Sequence, residues 1–311
     1  CCESGASVLA TVQLTQSTGI AISGSWAYVA ANSVMQVVDL SDPSEPTVAG
    51  SILVDGFARR IAVSGQMAYV AAFQGGMQVF DVSDPTASTL VATHQSSGDA
   101  WSIAISGSTV YLGVGASGVE VIDISSPAAP TLVTTLDVGA TVRGVSVSGA
   151  TLGVVDQTSN VHFFDTSGET PTLTSSYTES EAALEVAISG QHAYVAAGAD
   201  GVKILDLGTE PPTLVGTVGT EGAVANVAAW GTTVYASSQL TDTSQLTIID
   251  ATDANNPTTV AALLGTSAAS SSSSVAIGDG VAMFGSGVWG HVVDNSCLFS
   301  QTCDPAGQCV P

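Results

Sequence analysis

Two arginines stand side by side in DGFARRIAVSG, residues 55–65, in a chain with only four Lys or Arg residues against 27 Asp or Glu. Arg59 lies six residues before Gly65, Arg143 six before Gly149, and Trp101 six before Gly107. Arg60 follows Arg59 directly. Guanidinium forks suit carboxylates and phosphates, and an indole supplies a stacking face. Arg59, Arg60, Trp101 and Arg143 are therefore candidate ligand-binding residues for an anion or a sugar acid. The competing reading is structural: these arginines pair with Asp55, Asp99 or Glu185 and fix the geometry around them.

Little else in the chain has the spacing of a catalytic or metal site. His94, His162, His192 and His291 fall in different segments, without HExxH or GxSxG. No catalytic residue is expected. Glu179 and Glu181, in TESEAALE, read as members of a solvated loop. Loops such as DATDANNP, residues 250–257, offer two or three oxygens, fewer than Ca²⁺ takes. Asp250 and Asp253 are read first as turn formers, with incidental Ca²⁺ the alternative. No cofactor is expected.

The five cysteines, Cys1, Cys2, Cys297, Cys303 and Cys309, sit at the two ends. Such clustering suits disulfides in an oxidising compartment. Cys297, Cys303 and Cys309 are spaced six apart, wider than a zinc knuckle, with no His nearby. The expectation is one bridge from Cys2 to this tail and one within it. Cys1 is left as a lipid anchor, as in a mature bacterial lipoprotein, or for a bond between subunits.

The elements that position the arginines come from a repeat. A turn followed by Tyr-Val-Ala or a related run recurs, as in AISGSWAYVAA, AVSGQMAYVAA and AISGQHAYVAA, and the turn glycines Gly24, Gly65, Gly107, Gly149, Gly190 and Gly231 follow one another at steps of 41 or 42 residues. A second anchor, an apolar run ending in Asp, recurs seven times: VMQVVD, GMQVFD, GVEVID, NVHFFD, GVKILD, QLTIID and WGHVVD. Each unit holds four short β-type runs, in the second ARRIAVS, MAYVAAF, GMQVFDV and STLVATH. About 42 residues with four strands make a propeller blade. The last unit supplies only three strands before the cysteines. SVLATVQL, residues 7–14, resembles the fourth strands of other units and is expected to complete it. The fold class is thus all-β, a seven-bladed β-propeller of four-stranded blades closed by the N-terminal strand. Residues 1–6 are expected to be an anchor or linker, 7–296 the propeller and 297–311 a Cys-containing tail. The poly-Ser run 270–274 reads as a flexible insertion between the last two blades.

The runs VEVID, VKILD and MQVFD, the first and last followed one residue on by SSP or SDP, resemble LVIVD repeats of bacterial and archaeal surface or secreted propellers. The resemblance covers residues 7–294. It implies the fold and an extracellular or outer-surface location, and it transfers no catalytic residue. The fourth unit departs most, with Leu152 where most copies have Tyr and SGETP in place of SDP.

Composition narrows the function. Charged residues are only 10% of the chain and the net charge is −23, so nucleic acid and anionic lipid should be repelled. No stretch approaches 18 consecutive apolar residues, so a membrane is reached only through a lipid anchor. The leading expectation is a non-enzymatic binding or adhesion module for a protein or glycan partner at the cell surface. Its ligand would be anionic and seated at the channel mouth, where Arg59, Trp101 and Arg143 gather. The alternatives are a self-associating structural subunit, whose outer strands lack guarding Lys, and then an enzyme using the mouth.

Overall fold

The computed structural model describes residues 6–179, 183–265, 273–278 and 280–294, and the two-residue strands Thr302–Cys303 and Cys309–Val310. Seven antiparallel sheets stand around a central channel as blades 1 to 7. Strands are lettered a to d from the channel outward. The innermost strands, Gly19–Ser23, Arg60–Ser64, Ser102–Ser106, Val142–Ser148, Glu185–Ser189, Ala223–Trp230 and Ser273–Gly278, touch in sequence, and the last returns to the first. Among the described residues there is no α-helix, only the 3₁₀ turns Pro85–Ala87 and Gly115–Ser117.

Local chemistry explains why each unit folds as it does. Gly24, Gly65, Gly107, Gly149, Gly190 and Gly231 link strands a and b at φ between 56° and 60°, where a side chain would be strained. Asp39, Asp81, Asp123, Asp165, Asp206 and Asp250 each accept the N–H two residues on at 2.8 Å. They cap the turn from strand c to strand d. In blade 1, strands b and c run on as Trp26–Asp39, but Leu40 N–H donates to Ser25 O at 2.8 Å, so the chain doubles back at Asn32 (φ 56°).

Ring closure follows the expectation. Ser7–Gln13 pairs antiparallel with strand c of blade 7, Trp289–Asp294, from Ser7 opposite Asp294 to Gln13 opposite Trp289. Leu14 N–H extends the ladder to Val288 O at 2.7 Å. The core lies in the seams between blades. The seam of blades 1 and 2, for example, joins Tyr28, Met35 and Val37 to Ile61, Val70 and Phe80.

Three sequence readings are corrected. Leu152 does not hold the Tyr position. Gly153 does, opposite Ser146 and Phe163, and a Cβ there would lie 3.0 Å from Ile188 Cδ1 of blade 5. Ser273 and Ser274 belong to strand a of blade 7 rather than to an insertion, and Ser274 Oγ hydrogen-bonds Ser17 Oγ at 2.7 Å. Glu179 is not solvated: it is buried and ion-paired with Lys203.

The residue three places before each strand-end aspartate is polar in all seven units: Gln36, Gln78, Glu120, His162, Lys203, Thr247 and His291. Four of these side chains grip the crossover that enters their own blade. Gln36 Oε1 accepts from Thr15 N–H, and Gln78 bonds both the N–H and the C=O of Asp55. Glu120 accepts from Ser97 N–H at 2.7 Å and holds His94 at 2.8 Å, while Lys203 holds Glu179. Thr15, Asp55, Ser97 and Glu179 lie just ahead of Thr18, Arg59, Trp101 and Leu184, so these bonds set the strand entries at one mouth of the channel.

His291 is fully buried and stacks on Phe284 at 4.6 Å between ring centroids. Burial lowers its pKa to about 4 from an ordinary 6.5. Between those values the unfolded chain binds the extra proton, so stability should fall as pH falls from 6.5 to 4, by on the order of 3 kcal/mol. Urea unfolding at a series of pH values checks this, and His291→Gln should flatten that segment of the profile. Equal wild-type stability at the two ends of the window would refute the assignment.

Candidate functional site

The mouth is built from one position repeated around the ring, six residues before each turn glycine. Thr18, Arg59, Trp101, Arg143, Leu184 and Ala225, from blades 1 to 6, all line a cavity of about 380 Å³. Arg60, Thr141, Val142 and Gln157 complete its lining. The structure thus brings together the four residues singled out from sequence.

Their surroundings differ. Arg59 lies between aromatic rings, its guanidinium carbon 4.1 Å from the Trp101 centroid, 5.2 Å from Phe57 and 5.5 Å from Phe73. Phe73 meets Trp101 edge-on at 5.2 Å and so fixes the indole. Arg59 Nε is buried without a hydrogen-bond partner. Burial first, and then the Arg60 charge, lower the Arg59 pKa. Arg143 is exposed and is the extra residue of a β-bulge between Val142 and Gly144. Bulges re-aim side chains, and this one turns Arg143 toward the cavity. Among the described residues neither Arg59 nor Arg143 has a carboxylate within ion-pair distance.

Arg60 is engaged. It pairs with Glu185 of blade 5 at 3.2 Å. The partners occupy equivalent positions, five residues before their turn glycines, and the pair reaches across the channel. Glycine at the same position in blades 1 and 4 makes room. A Cβ on Gly144 would lie 2.3 Å from Glu185 Oε1, and one on Gly19 would lie 2.9 Å from Arg60 Cα. Burial raises the Glu185 pKa against the pull of Arg60. Arg60 lines both the mouth cavity and a second space of about 350 Å³ along the channel, which Glu185 also lines. The ion pair therefore forms a floor between them. The structural reading of the arginines thus describes Arg60, through Glu185, and neither of the others.

Asp250 and Asp253 are occupied by donors of their own turns, Thr252, Asn255 and Asn256. Among the described residues no three His, Cys, Asp or Glu side chains gather as metal ligands. Cys1, Cys2 and Cys297 lie outside the described residues. Cys303 and Cys309 are opposite one another in a short backbone ladder, and their side chains are outside the described set.

The LVIVD repeat model matches residues 16–54, 55–95, 97–138 and 182–220, more than half of the chain. The chain belongs to the LVIVD-repeat family. Its matched repeats span blades 1, 2, 3 and 5, and the structure shows the same sheet in blades 4, 6 and 7. An LVIVD propeller is a protein-interaction fold, consistent with a non-enzymatic binding module. Among solved structures it is similar to the computationally designed Ika8 protein, with TM-score 0.66 and 13% identity over 91% of this chain and 98% of that one. That likeness concerns the fold alone. No curated protein matches the sequence.

Proposed function

We propose that this LVIVD propeller is a binding module of the extracellular space or cell surface. Its ligand is an anion seated at the channel mouth, free or presented by a protein or glycan partner. One observation carries the reading: Arg59 and Arg143, unpaired among the described residues, and Trp101 converge from three adjacent blades on a cavity floored by an internally neutral ion pair. In a chain of net charge −23, these are two of only four cations. Support for the location is the end-clustered set of five cysteines, which suits an oxidising compartment.

An assembly through outer strands is less well supported. Every outer strand carries a bulge at the same register, with Leu9, Ala49, Val91, Val133, Thr174, Val215 and Val260 as the extra residues. Bulges twist an edge away from pairing and do the work that guarding Lys does elsewhere.

Calorimetric titration with a panel of small carboxylates, phosphate and sulfate tests the proposal, with indole fluorescence as a second readout. At least one anion should bind. Arg59→Ala or Arg143→Ala should weaken it by about ten-fold or more, as expected for a charged hydrogen bond, and the double variant should abolish binding. Trp101→Phe should remove the fluorescence response. Neither heat nor a spectral shift with any anion would defeat the reading.

A further inference from the structure

The mouth cavity is divided. Blades 2 to 4 give it cations and an indole, Arg59, Arg143 and Trp101, with Thr141 and Gln157 as polar lining, while blades 5 and 6 give it two apolar residues, Leu184 and Ala225. Building on the anion-site reading, we propose that the group recognised is a compact carboxylate with an apolar body, such as an aryl or branched aliphatic acid.

A sugar acid carries hydroxyls around its ring, and those turned toward Leu184 and Ala225 would be desolvated without partners. An inorganic oxyanion satisfies the arginines but leaves the apolar side wetted. A carboxylate with an apolar body meets both: its oxygens face the guanidinium groups and its body excludes water from Leu184 and Ala225. Size agrees, because about 380 Å³ lies near the lower end of the roughly 300–1,000 Å³ of small-molecule cavities. The Arg60–Glu185 floor, 3.2 Å between charged atoms, blocks the channel beneath, so the site takes an end group or a small molecule rather than a threaded chain. The same chemistry is offered by a free acid and by the terminal carboxylate of a polypeptide ending in an apolar residue.

The test is calorimetry on the full chain at fixed ionic strength with phenylacetate, N-acetyl-glycyl-phenylalanine, glucuronate and phosphate. Phenylacetate or the peptide acid should bind at least about ten-fold tighter than glucuronate and phosphate, the scale of one good apolar contact. Tighter binding of the peptide identifies a protein chain end as the source, and preference for phenylacetate identifies a free acid. Leu184→Asn should cost the apolar acids about ten-fold while changing glucuronate less than about two-fold. Ala225→Ser, a smaller change, should move the affinities in the same direction if Leu184→Asn fails to fold. Glucuronate or phosphate binding as tightly as the apolar acids would overturn this inference and leave the anion site standing. Binding of no anion would overturn both.

Discussion

A chain lacking residues 1–14 should fail to form a stable monomeric ring. Ser7–Gln13 is the outer strand of the blade whose other three strands come from residues 273–294. Its removal takes the ladder off Trp289–Asp294 and leaves WGHVVD as a new edge with no charge until its last residue. It also takes Val12 and Leu14 out of the seam they share with Met283 and Val292. Fully burying two such side chains is worth roughly 3–6 kcal/mol, against a net stability of about 5–15 kcal/mol for an ordinary domain. The first and last blades would still meet through their inner strands and shared seam, but the outermost strand of the last blade would be gone. The truncated chain should therefore lose its cooperative melt or associate through the bare edge, as size-exclusion chromatography with light scattering would show. A synthetic peptide of residues 6–16 should restore a monomer by pairing in trans. A truncated chain that stays monomeric with unchanged melting would show that the closing strand is dispensable. The milder pair Val12→Ala with Leu14→Ala should lower the urea midpoint without changing the oligomeric state.

How much of this was legible depended on whether a residue's role repeats. The blade count, the turn glycines and the capping aspartates each recur at fixed spacing, so the period exposed them. The same register placed Arg59, Trp101 and Arg143 at one mouth. What the period could not reveal is contact across the ring. Arg60 and Glu185 occupy the same position in blades 2 and 5, but their pairing depends on channel width and on the space that Gly19 and Gly144 leave. The apolar side of the cavity was hidden for another reason, since Leu184 and Ala225 look ordinary until the ring brings them into one cavity with the arginines. The polar residue in each strand c recurs at fixed spacing too, but its role does not show in the sequence. In VMQVVD, GVEVID and GVKILD it sits inside a run that reads as apolar, and only the structure shows it reaching back to the crossover before its blade.

Lys203 is the sharpest test of that device. It and Glu179 are both buried, and Asp200 takes a second bond from its ammonium group at 2.8 Å. Burial alone would lower the Lys203 pKa, but hydrogen bonds to Asp200 and Glu179 outweigh it and the net direction is upward. Lys203→Met keeps most of the side-chain length and removes the charge. Glu179 then stays buried while losing its ion pair with Lys203. Stranding one member of a buried pair typically costs about 3–5 kcal/mol, and the partly exposed Asp200 places the expected loss near the lower end, about 3 kcal/mol. Adding Glu179→Gln should return part of that loss, because the buried group that faced the ammonium is then neutral. The crossover held by Glu179 leads into Leu184, so Lys203→Met should also weaken any ligand of the mouth while Arg59 and Trp101, fixed by Gln78 and Glu120, keep their places. Urea midpoints of the single and double variants at neutral pH decide the matter. A Lys203→Met midpoint within error of wild type would mean that the ion pair does not hold the crossover, and a double variant weaker than Lys203→Met would mean that Glu179 acts through some other contact.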